Sequence, residues 1–249
     1  MNKNIVYNTK YIGSFKMTND FFRFEDKEYD LPLLNGDPRF TTKNVAILFI
    51  GFLISVATPF IIPPTGNVML KAILITVPSL LVVIYVFKDN MSNIFRMPKP
   101  KDIIIIIVGF ILMLVFAIIA NFIGSALGIT AAADSAVNGS HLMLIIRAAI
   151  QLVGEELVKF IPLIIVTAYL YKSIGRKAAI IVAIIISQII FALFHIPAYG
   201  FSIPFLLVHI GFSSIVLPLV YIKTKNLVLC YIIHFINDIW AFMPYIFGY

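Results

Sequence analysis

Residues 142–170 read LMLIIRAAIQLVGEELVKFIPLIIVTAYL, an apolar stretch with charged side chains only in its first two thirds. A run of about 20 apolar residues is the length that crosses a hydrocarbon core roughly 30 Å thick. An ionised carboxylate near the bilayer centre costs roughly 2.5–3.5 kcal/mol even on the lenient insertion scale. Glu155 and Glu156 stand side by side in the middle of this stretch. We therefore expect them to have polar partners in the folded protein.

The composition of the whole chain is typical of an integral membrane protein. Of 249 residues, 61% are hydrophobic and 12% are charged, whereas about 25% are charged in an ordinary soluble domain. Seven apolar runs each predict one membrane-spanning helix: 45–62, 67–87, 103–125, 142–170, 178–198, 203–222 and 227–246. The fourth run is long enough for a tilted helix or for one that begins with an interfacial turn. The sequence thus predicts an all-α, polytopic membrane helix bundle with about seven transmembrane helices.

The distribution of basic residues predicts the orientation of this bundle. Lysine and arginine are concentrated in residues 1–43 and in the connections 88–102, 171–177 and 223–226, and the alternate connections carry none. Positive residues are retained on the cytoplasmic side of a membrane, so the N-terminus is predicted to be cytoplasmic. The net charge of +7 is therefore interpreted as a topology signal, and no nucleic-acid partner is expected.

The chain is predicted to have three parts. Residues 1–43 mix charges with scattered aromatic residues, and we expect them to form a cytoplasmic or interfacial N-terminal segment. Residues 44–125 contain three predicted helices with few polar groups and are interpreted as a scaffold. Residues 142–246 contain four predicted helices and nearly every polar residue that should be buried. This last part is therefore predicted to carry the functional site.

Polar residues recur on one face of the fourth predicted helix. Arg147, Gln151, Glu155 and Lys159 follow one another at intervals of four residues, and residues so spaced stack along one helix face. Glu156 is rotated by about 100° from Glu155 and can therefore reach a different neighbour. The simplest interpretation of this helix alone is an ion pair between Lys159 and either glutamate, which closes a helix–helix contact.

Two later helices supply histidines and a further carboxylate. Phe191 and His195 share one face of the fifth predicted helix, and His234 and Asp238 share one face of the seventh. A carboxylate with imidazole can activate water as a general base, and a carboxylate with two histidines can equally hold zinc with an open position. The candidate metal ligands are Glu155, His195, His234 and Asp238. His209 has no partner pattern around it and is interpreted as structural.

At these residues the chain resembles a known family. Glu155-Glu156, Phe191-Ala-Leu-Phe-His195 and His234-Phe-Ile-Asn-Asp238 resemble the EExxxR, FxxxH and HxxxN/D motifs of the CPBP intramembrane proteases. These are the CAAX prenyl endopeptidases and bacterial relatives associated with bacteriocin processing and self-immunity. The resemblance covers about residues 142–246, with the motifs in the family's order. It implies that Glu155 and His195 activate water, that His234 and Asp238 stabilise the oxyanion, and that Glu156 is a supporting carboxylate.

The chain departs from these motifs at two positions. Phe160 occupies the position of the motif arginine, and Lys159 lies one residue earlier. Asp238 stands where asparagine is more usual, and an ionised aspartate has no proton to donate to an oxyanion. It must be protonated, orient His234 or bind a metal. The pattern EExxK with HxxxD also resembles a second family of membrane proteases, which cleave anti-sigma factors, although that family has FxxxE where this chain has FxxxH.

The candidate site residues are predicted to lie at different depths in the membrane. Glu155 is about 13 residues into its helix, whereas His195 and His234 are about 17 and about seven residues from the cytoplasmic edge, at 1.5 Å per residue. The helices must therefore tilt or bend to bring these groups together. Pro197 is the candidate for a kink in the fifth helix.

Two functions are compatible with the sequence. The first is an intramembrane endopeptidase that hydrolyses a membrane-associated or peptide substrate. The alternative is a non-proteolytic membrane scaffold or bacteriocin self-immunity protein of the same fold, which the missing arginine favours. A transporter is disfavoured, because matching pairs of interrupted helices are not seen. The expected partners are the lipid bilayer and a peptide or membrane-protein substrate, and the expected location is the cell membrane, by composition a bacterial inner membrane.

Metal-free activation of water by Glu155 and His195 is preferred over zinc. The chain has no HExxH pair that would fix two imidazoles one helical turn apart. The single cysteine, Cys230, excludes a cysteine metal cluster and an internal disulfide. No cofactor is therefore required in the preferred interpretation, and a divalent metal such as zinc is the alternative.

Overall fold

The computed structural model of the protein describes residues 21–34, 36, 38–63, 66–129 and 141–247, which contain helices and no β-strand. The helices are α1 (Thr42–Ile61), α2 (Val68–Phe87), α3 (Asp102–Ala126), α4 (His141–Ile174), α5 (Arg176–Phe194), the short α6 (Ile196–Tyr199) and α7 (Ile203–Phe205), α8 (Val216–Thr224) and α9 (Leu227–Phe247). A 3₁₀ helix, Lys88–Asn93, follows α2, and a π-helix, Leu206–Phe212, with a 3₁₀ turn, Ser213–Ile215, joins α7 to α8. The predicted all-α bundle is confirmed.

Six helical segments in the described part of the chain are long and apolar enough to cross a membrane. They are α1, α2, α3, α5, the continuous segment Ile203–Thr224, and α9 as far as Pro244, and they match the first three and last three predicted helices. The predicted fourth helix is α4, which is not one of the six. Its 34 residues extend over about 51 Å at 1.5 Å per residue. Its middle, including Glu155 and Glu156, is buried inside the bundle.

Local sequence explains where several helices begin and turn. The side chain of Thr41 accepts a hydrogen bond from the amide of Asn44 at the start of α1, and Asn67 caps α2 in the same way by accepting from Leu70. A single residue, Gly175, joins α4 to α5 with a φ of 77°. Glycine adopts this conformation without strain, so α5 folds back at once and packs along α4.

The contact between α2 and α4 is unusually close at Gly154. A Cβ atom at this position would lie 2.7 Å from Thr76 Oγ1 and 2.8 Å from the backbone oxygen of Ile75. The Thr76 hydroxyl donates a hydrogen bond to the backbone oxygen of Ile150 at 2.7 Å. This approach fixes the helical turn that immediately precedes Glu155.

Phe160, at the position of the motif arginine, is part of the hydrophobic core. Its ring lies against Phe87 of α2 and Tyr221 of α8, with centroid separations of 6.2 and 5.2 Å. The side chain is 1% exposed. This position therefore carries no charged group, whereas the neighbouring Lys159 is paired with Glu156.

Residues 21–34, the N-terminal strap, fold onto the ends of the helices. The carboxylate of Glu25 accepts hydrogen bonds at 2.7 Å from Arg176, at the start of α5, and from Lys225, between α8 and α9. Arg176 also donates to Asp30 at 2.7 Å. The sequence predicted only an interfacial segment here, because these partners are distant in the chain. Residues 1–20 of the predicted segment, and residues 130–140 of the predicted outer loop, lie outside the described residues.

The electrostatics of the strap follow from two cations sharing one buried carboxylate. Burial by itself would raise the pKa of Glu25, but the hydrogen bonds from Arg176 and Lys225 outweigh it and hold that pKa below its ordinary value. Burial, opposed by Glu25 but reinforced by the charge of Arg176, lowers the pKa of Lys225. Both pKa values are lowered, which favours the charged form of Glu25 and disfavours that of Lys225, because Glu25 has two cationic partners, whereas Lys225 shares its carboxylate with a second cation. The carboxylate form of Glu25 is therefore the firmly stabilised one.

The segments rich in basic residues meet at one end of the bundle. Glu25 links the N-terminal strap to Arg176 and Lys225. The connection after α2 joins them, because Arg96 and Asn226 exchange two hydrogen bonds of 3.1 and 3.0 Å. This arrangement agrees with the alternation of basic and non-basic connections in the sequence. That this end is cytoplasmic stays a prediction.

Candidate active site

The structure brings the five predicted site residues together in one cluster. Glu155 and Glu156 come from the middle of α4, His195 follows α5, and His234 and Asp238 lie on α9. Each is within 4.0 Å of at least one other member: His234 joins the two glutamates to Asp238, and His195 lies next to Glu155. Residues that sequence spacing had assigned to single helix faces thus share one site.

Glu155 lies at the centre of the cluster with its two oxygens in different roles. Oε1 accepts a hydrogen bond of 2.7 Å from the side-chain amide of Gln151, one turn earlier on α4. Oε2 lies 3.9 Å from Nε2 of His195 and 4.0 Å from Nε2 of His234. Such separations exceed a direct hydrogen bond and are of the size that one bridging water spans. Gln151 therefore leaves Oε2 as the oxygen that can act on a water.

His195 is oriented by the end of its own helix. Its Nδ1 lies 2.8 Å from the backbone oxygen of Phe191, and a carbonyl oxygen can only accept, so Nδ1 carries the proton. In the neutral ring Nε2 is then a hydrogen-bond acceptor facing Glu155. The rings of Phe191 and Phe194 meet the imidazole edge-on, with centroids at 4.7 and 5.3 Å. Packing and the hydrogen bond together fix both the tautomer and the direction of the ring.

The predicted kink at Pro197 is wrong in its position. The helix α5 ends at Phe194, His195 caps it with φ −90° and ψ 0°, and Pro197 lies in the separate α6. Proline has no amide hydrogen with which to continue the ladder to Leu193, so the helix stops before it and does not bend through it. The break places His195 at the mouth of the cluster.

His234 is held by the second glutamate. Its Nδ1 donates to Oε1 of Glu156 at 2.7 Å, and the ammonium of Lys159 lies 2.5 Å from the same oxygen. Lys159 Nζ is also 3.4 Å from His234 Nδ1, but both are donors in this arrangement, so Glu156 is the acceptor for each. Nε2 of His234 consequently faces Glu155 and, at 3.7 Å, Oδ1 of Asp238.

The exposure of the side chains shows where the cluster opens. The carboxylates of Glu155 and Glu156 are 5% exposed, whereas the side chain of His195 is 17% exposed and that of Asp238 is 26% exposed. Asp238 also accepts a long hydrogen bond of 3.4 Å from its neighbour Asn237. The site therefore opens on the side of His195 and Asp238, with the two glutamates behind them.

That the site works without a metal stays a prediction. Within the described ranges, no three histidine, cysteine or carboxylate side chains are arranged to hold a metal ion. The four candidate ligands contact one another at 3.7–4.0 Å, and zinc requires about 2.0–2.2 Å to each donor atom. Their chemistry, two carboxylates and two imidazole nitrogens, fits such an ion, but their spacing would have to contract around it.

Three contacts were not foreseen from the sequence. Gln151 was placed on the polar face without a role, and it orients Glu155. Phe191 packs under the ammonium of Lys159 at 4.2 Å from its ring centre, and its place in the FxxxH motif was the available signal. Ser187 donates to the backbone oxygen of Lys159 at 2.7 Å, which fastens α4 to α5.

His209 lies apart from the cluster, in the π-helix, where its ring is stacked on that of Phe205 with centroids 4.7 Å apart.

The comparison with known families gives one match. The model of a family described as "Type II CAAX prenyl endopeptidase Rce1-like" matches residues 137–240, which contain all five site residues. No curated protein and no solved structure matches the chain. The family match confirms the resemblance to the CPBP proteases that the motifs indicated. Over residues 137–240, less than half of its 249 residues, this membrane protein is similar to the type II CAAX prenyl endopeptidase Rce1-like family.

Proposed function

We propose that the protein is an intramembrane endopeptidase that hydrolyses a peptide bond of a membrane-associated substrate, with water activated by Glu155 and His195. The observation that carries the proposal is the position of Glu155 Oε2, 3.9 Å from one imidazole and 4.0 Å from another. The match of residues 137–240 to an endopeptidase family supports the same class of reaction. By composition, we place the protein in a bacterial inner membrane.

The attack requires one water between Glu155 and His195. That water gives a proton to Oε2 of Glu155 as its oxygen bonds to the carbonyl carbon of the substrate. Nε2 of His195 accepts a hydrogen bond from the second hydrogen, which stays on the water oxygen, and so directs the lone pair. When the tetrahedral intermediate collapses, the carbon–nitrogen bond breaks and the leaving amine takes the proton from Glu155. The carboxylate is thereby restored.

The negative oxygen of the intermediate requires donors on the opposite side. His234 already gives its Nδ1 hydrogen to Glu156, so it donates from Nε2 only as imidazolium. Asp238 lies beside Nε2, where it orients the ring as a carboxylate or donates as a carboxylic acid. Oxyanion donors of this kind contribute roughly 10²–10³ to kcat.

The first test is Glu155→Gln, which keeps the shape and removes the base. Purified protein in lipid nanodiscs is given a farnesylated peptide with a CAAX end, the substrate class in the family's name, and products are identified by mass spectrometry. Because other substrates are equally compatible, new termini in the membrane proteome are compared between cells expressing the two forms. We expect at least a 100-fold loss of cleavage, since general-base catalysis contributes 10²–10⁴.

The control for this test is Glu28→Gln, which makes the same chemical change at an exposed residue of the strap. It should leave cleavage unchanged. Cleavage by Glu155→Gln at the wild-type rate would contradict the proposal. Water activation here needs no metal, so cleavage should also survive chelation. Stoichiometric zinc in the purified protein, lost together with activity, would show that the metal-free mechanism is wrong.

The second candidate is a non-proteolytic scaffold or bacteriocin self-immunity protein. It is favoured by Phe160, which replaces the motif arginine with a core residue. Such a protein would bind a partner through the same open side of the cluster. A biological function retained in full by Glu155→Gln would select this alternative.

A further inference from the structure

We infer that a cavity at the basic end of the bundle binds the phosphate of an anionic phospholipid headgroup. The cavity, which we call the basic pocket, has a volume of about 240 Å³. It is enclosed by the N-terminal strap, the connection from α2 to α3, the start of α3 and the turn between α8 and α9. The basic residues in its lining are Arg96, Lys99, Lys101 and Lys223. The pocket contains none of the five candidate active-site residues, so lipid binding there does not depend on the proposed hydrolysis.

Arg96 is held at the pocket by neutral partners. Its guanidinium group donates to the backbone oxygens of Ser92 and Asn93 at 3.3 and 3.2 Å, and also to that of Thr224. The same group lies over the ring of Tyr29, 3.9 Å from its centre. These contacts fix the direction of the side chain, but none of them comes from a carboxylate. The positive charge of Arg96 is therefore available to an anion, and a guanidinium group matches the geometry of a phosphate.

The three lysines of the pocket add charge that no carboxylate neutralises by direct contact. The ammonium group of Lys223 donates to the backbone oxygen of Phe24 at 3.3 Å. Those of Lys99 and Lys101 are exposed, and they make no hydrogen bond or ion pair with any residue that the structure describes. Basic pockets between membrane helices are a recognised type of site for anionic lipid headgroups.

Three acidic residues also line the pocket, and they limit the charge of the ligand. Asp26 accepts a hydrogen bond from the amide of Glu28 at 2.9 Å, and Asp102 accepts one from the amide of Lys99 at 2.8 Å. Four basic and three acidic side chains leave the lining with a net charge of +1. This charge complements a single negative charge, which is that of the phosphodiester in phosphatidylglycerol.

Apolar side chains complete the pocket, and they favour a lipid over a soluble phosphate. Ile105 of α3 and Leu229 of α9 belong to the lining. Met97, which also lines the pocket, is 85% exposed, and Ile104, next to Ile105 on α3, is 69% exposed. The helix α3 is one of the segments apolar enough to cross a membrane. A headgroup in the pocket would therefore have its acyl chains beside exposed apolar surface.

The binding test is native mass spectrometry of the purified protein in detergent, titrated with phosphatidylglycerol and, separately, with phosphatidylcholine. We expect one phosphatidylglycerol to bind at least tenfold more tightly than phosphatidylcholine, whose positive choline group cancels the charge of its phosphate. The double variant Lys99→Gln with Lys101→Gln should lose at least tenfold in affinity for phosphatidylglycerol, since each lysine near an anionic lipid contributes roughly fivefold. Both side chains are exposed, so the fold should be retained, which thermal unfolding checks.

The matched control is Lys27→Gln with Lys43→Gln. It removes the same amount of charge from two exposed lysines that do not line the pocket. Its affinity for phosphatidylglycerol should stay within twofold of the wild type. Equal losses in the two double variants would indicate a diffuse attraction to basic residues and would overturn the assignment of a site. Equal binding of the two lipids by the wild type would overturn it as well.

A competition experiment separates a lipid from a soluble phosphate. Inorganic phosphate and glycerophosphoglycerol, which is the headgroup without acyl chains, are each added in hundredfold excess over bound phosphatidylglycerol. Neither should displace the lipid, because neither can contact the apolar surface of α3. Displacement by either compound would show that the pocket is a site for soluble phosphates and would overturn the lipid assignment.

Thermal unfolding in nanodiscs gives a second, independent measurement. A ligand that binds only the folded state raises the unfolding temperature. The wild type should therefore unfold at a higher temperature in nanodiscs of equal parts phosphatidylglycerol and phosphatidylcholine than in phosphatidylcholine alone. The Lys27→Gln, Lys43→Gln control should show the same rise, and the Lys99→Gln, Lys101→Gln variant should show less than half of it. A rise of equal size in all three forms would contradict binding in the basic pocket.

Discussion

Asp238 differs from the usual residue of its motif, and its environment shows what the difference does. Its Oδ1 lies 3.7 Å from Nε2 of His234, at the open side of the cluster. An amide at this position keeps a donor nitrogen as well as an acceptor oxygen at every pH. We therefore expect Asp238→Asn to cleave at least as fast as the wild type at neutral pH. Asp238→Leu, of similar size, should lose at least tenfold in kcat.

The same pair of variants separates an orienting carboxylate from a metal ligand. A metal site would lose affinity when the charged ligand becomes an amide, and Asp238→Asn would then be as poor as Asp238→Leu. That outcome in steady-state assays would contradict the metal-free mechanism. The readout is kcat with and without chelator.

At the residue scale, spacing predicted which side chains meet but not how each is turned. Intervals of four placed Glu155 on the polar face of one helix and His234 with Asp238 on one face of another, and the structure brings these two faces together. The partner of Lys159 was left open, because residues three and four apart are both in reach. The structure selects Glu156, since Glu155 is already bonded to Gln151. Such competition is settled by neighbours from other helices, which periodicity does not contain.

At the scale of elements, the close approach of α2 to α4 couples packing to the site. A methyl group at Gly154 would meet the backbone of α2 at 2.8 Å, and backbone cannot move aside as a side chain can. Overpacking of this kind costs roughly 1–3 kcal/mol. We expect Gly154→Ala to lower thermal stability and to reduce cleavage per folded molecule at least tenfold, because the turn that it displaces carries Glu155.

Gly51 offers a matched comparison in the predicted scaffold. A Cβ atom there would lie 2.8 Å from the backbone oxygen of Pro78, so Gly51→Ala introduces the same clash between α1 and α2. Its stability should fall by a similar amount, but the cleavage rate per folded molecule should remain that of the wild type. Equal catalytic losses in the two variants, measured after correction for the folded fraction, would contradict the coupling.

The sequence predicted the existence of every long helix, and it failed where tertiary contacts set the local geometry. The run 203–222 was predicted as one regular helix, but it contains the π-helix Leu206–Phe212. Gly211 lies against α5 there, and its backbone oxygen accepts from Gln188 at 3.0 Å. This hydrogen bond joins residues 23 positions apart, so the apolar pattern of the run itself contains no signal for it.

At the scale of the whole molecule, the strap ties together the ends of helices that carry the site. Glu25 is fully buried between Arg176 and Lys225, and loss of one partner from a buried ion pair costs roughly 3–5 kcal/mol. We expect Glu25→Gln to lower the unfolding temperature at pH 7. Glu28→Gln, exposed on the same strap, should leave it unchanged.

The pH dependence of this effect has a definite sign. The pKa of Glu25 is lowered in the folded protein, so its contribution is present in full above the ordinary carboxyl value of about 4.3 and disappears as the pH falls through the lowered value. The difference in unfolding temperature between wild type and Glu25→Gln should therefore be constant from pH 6 to 7 and shrink below about pH 4. A difference that grew on acidification would contradict the assignment.

The contacts of the strap could not be predicted from the sequence, because its partners lie far away along the chain. Its hydrogen bonds join residues 151 and 200 positions apart, and helix periodicity reports only neighbours within a few turns. The pattern of basic residues did indicate that these segments share one end of the bundle. It could not indicate that acidic residues of the N-terminal segment were their partners.

The long span of these bonds also sets an order of events during synthesis. Glu25 leaves the ribosome long before Lys225, which follows it by 200 residues. At about 5–20 residues per second, that interval is about 10–40 s. Throughout it the strap has no complete docking surface, so a nascent or truncated chain leaves residues 21–34 undocked and open to proteases, whereas a finished chain holds them through the buried Glu25. Protease resistance of the strap thus distinguishes a chain synthesised through Lys225 from one that was terminated earlier.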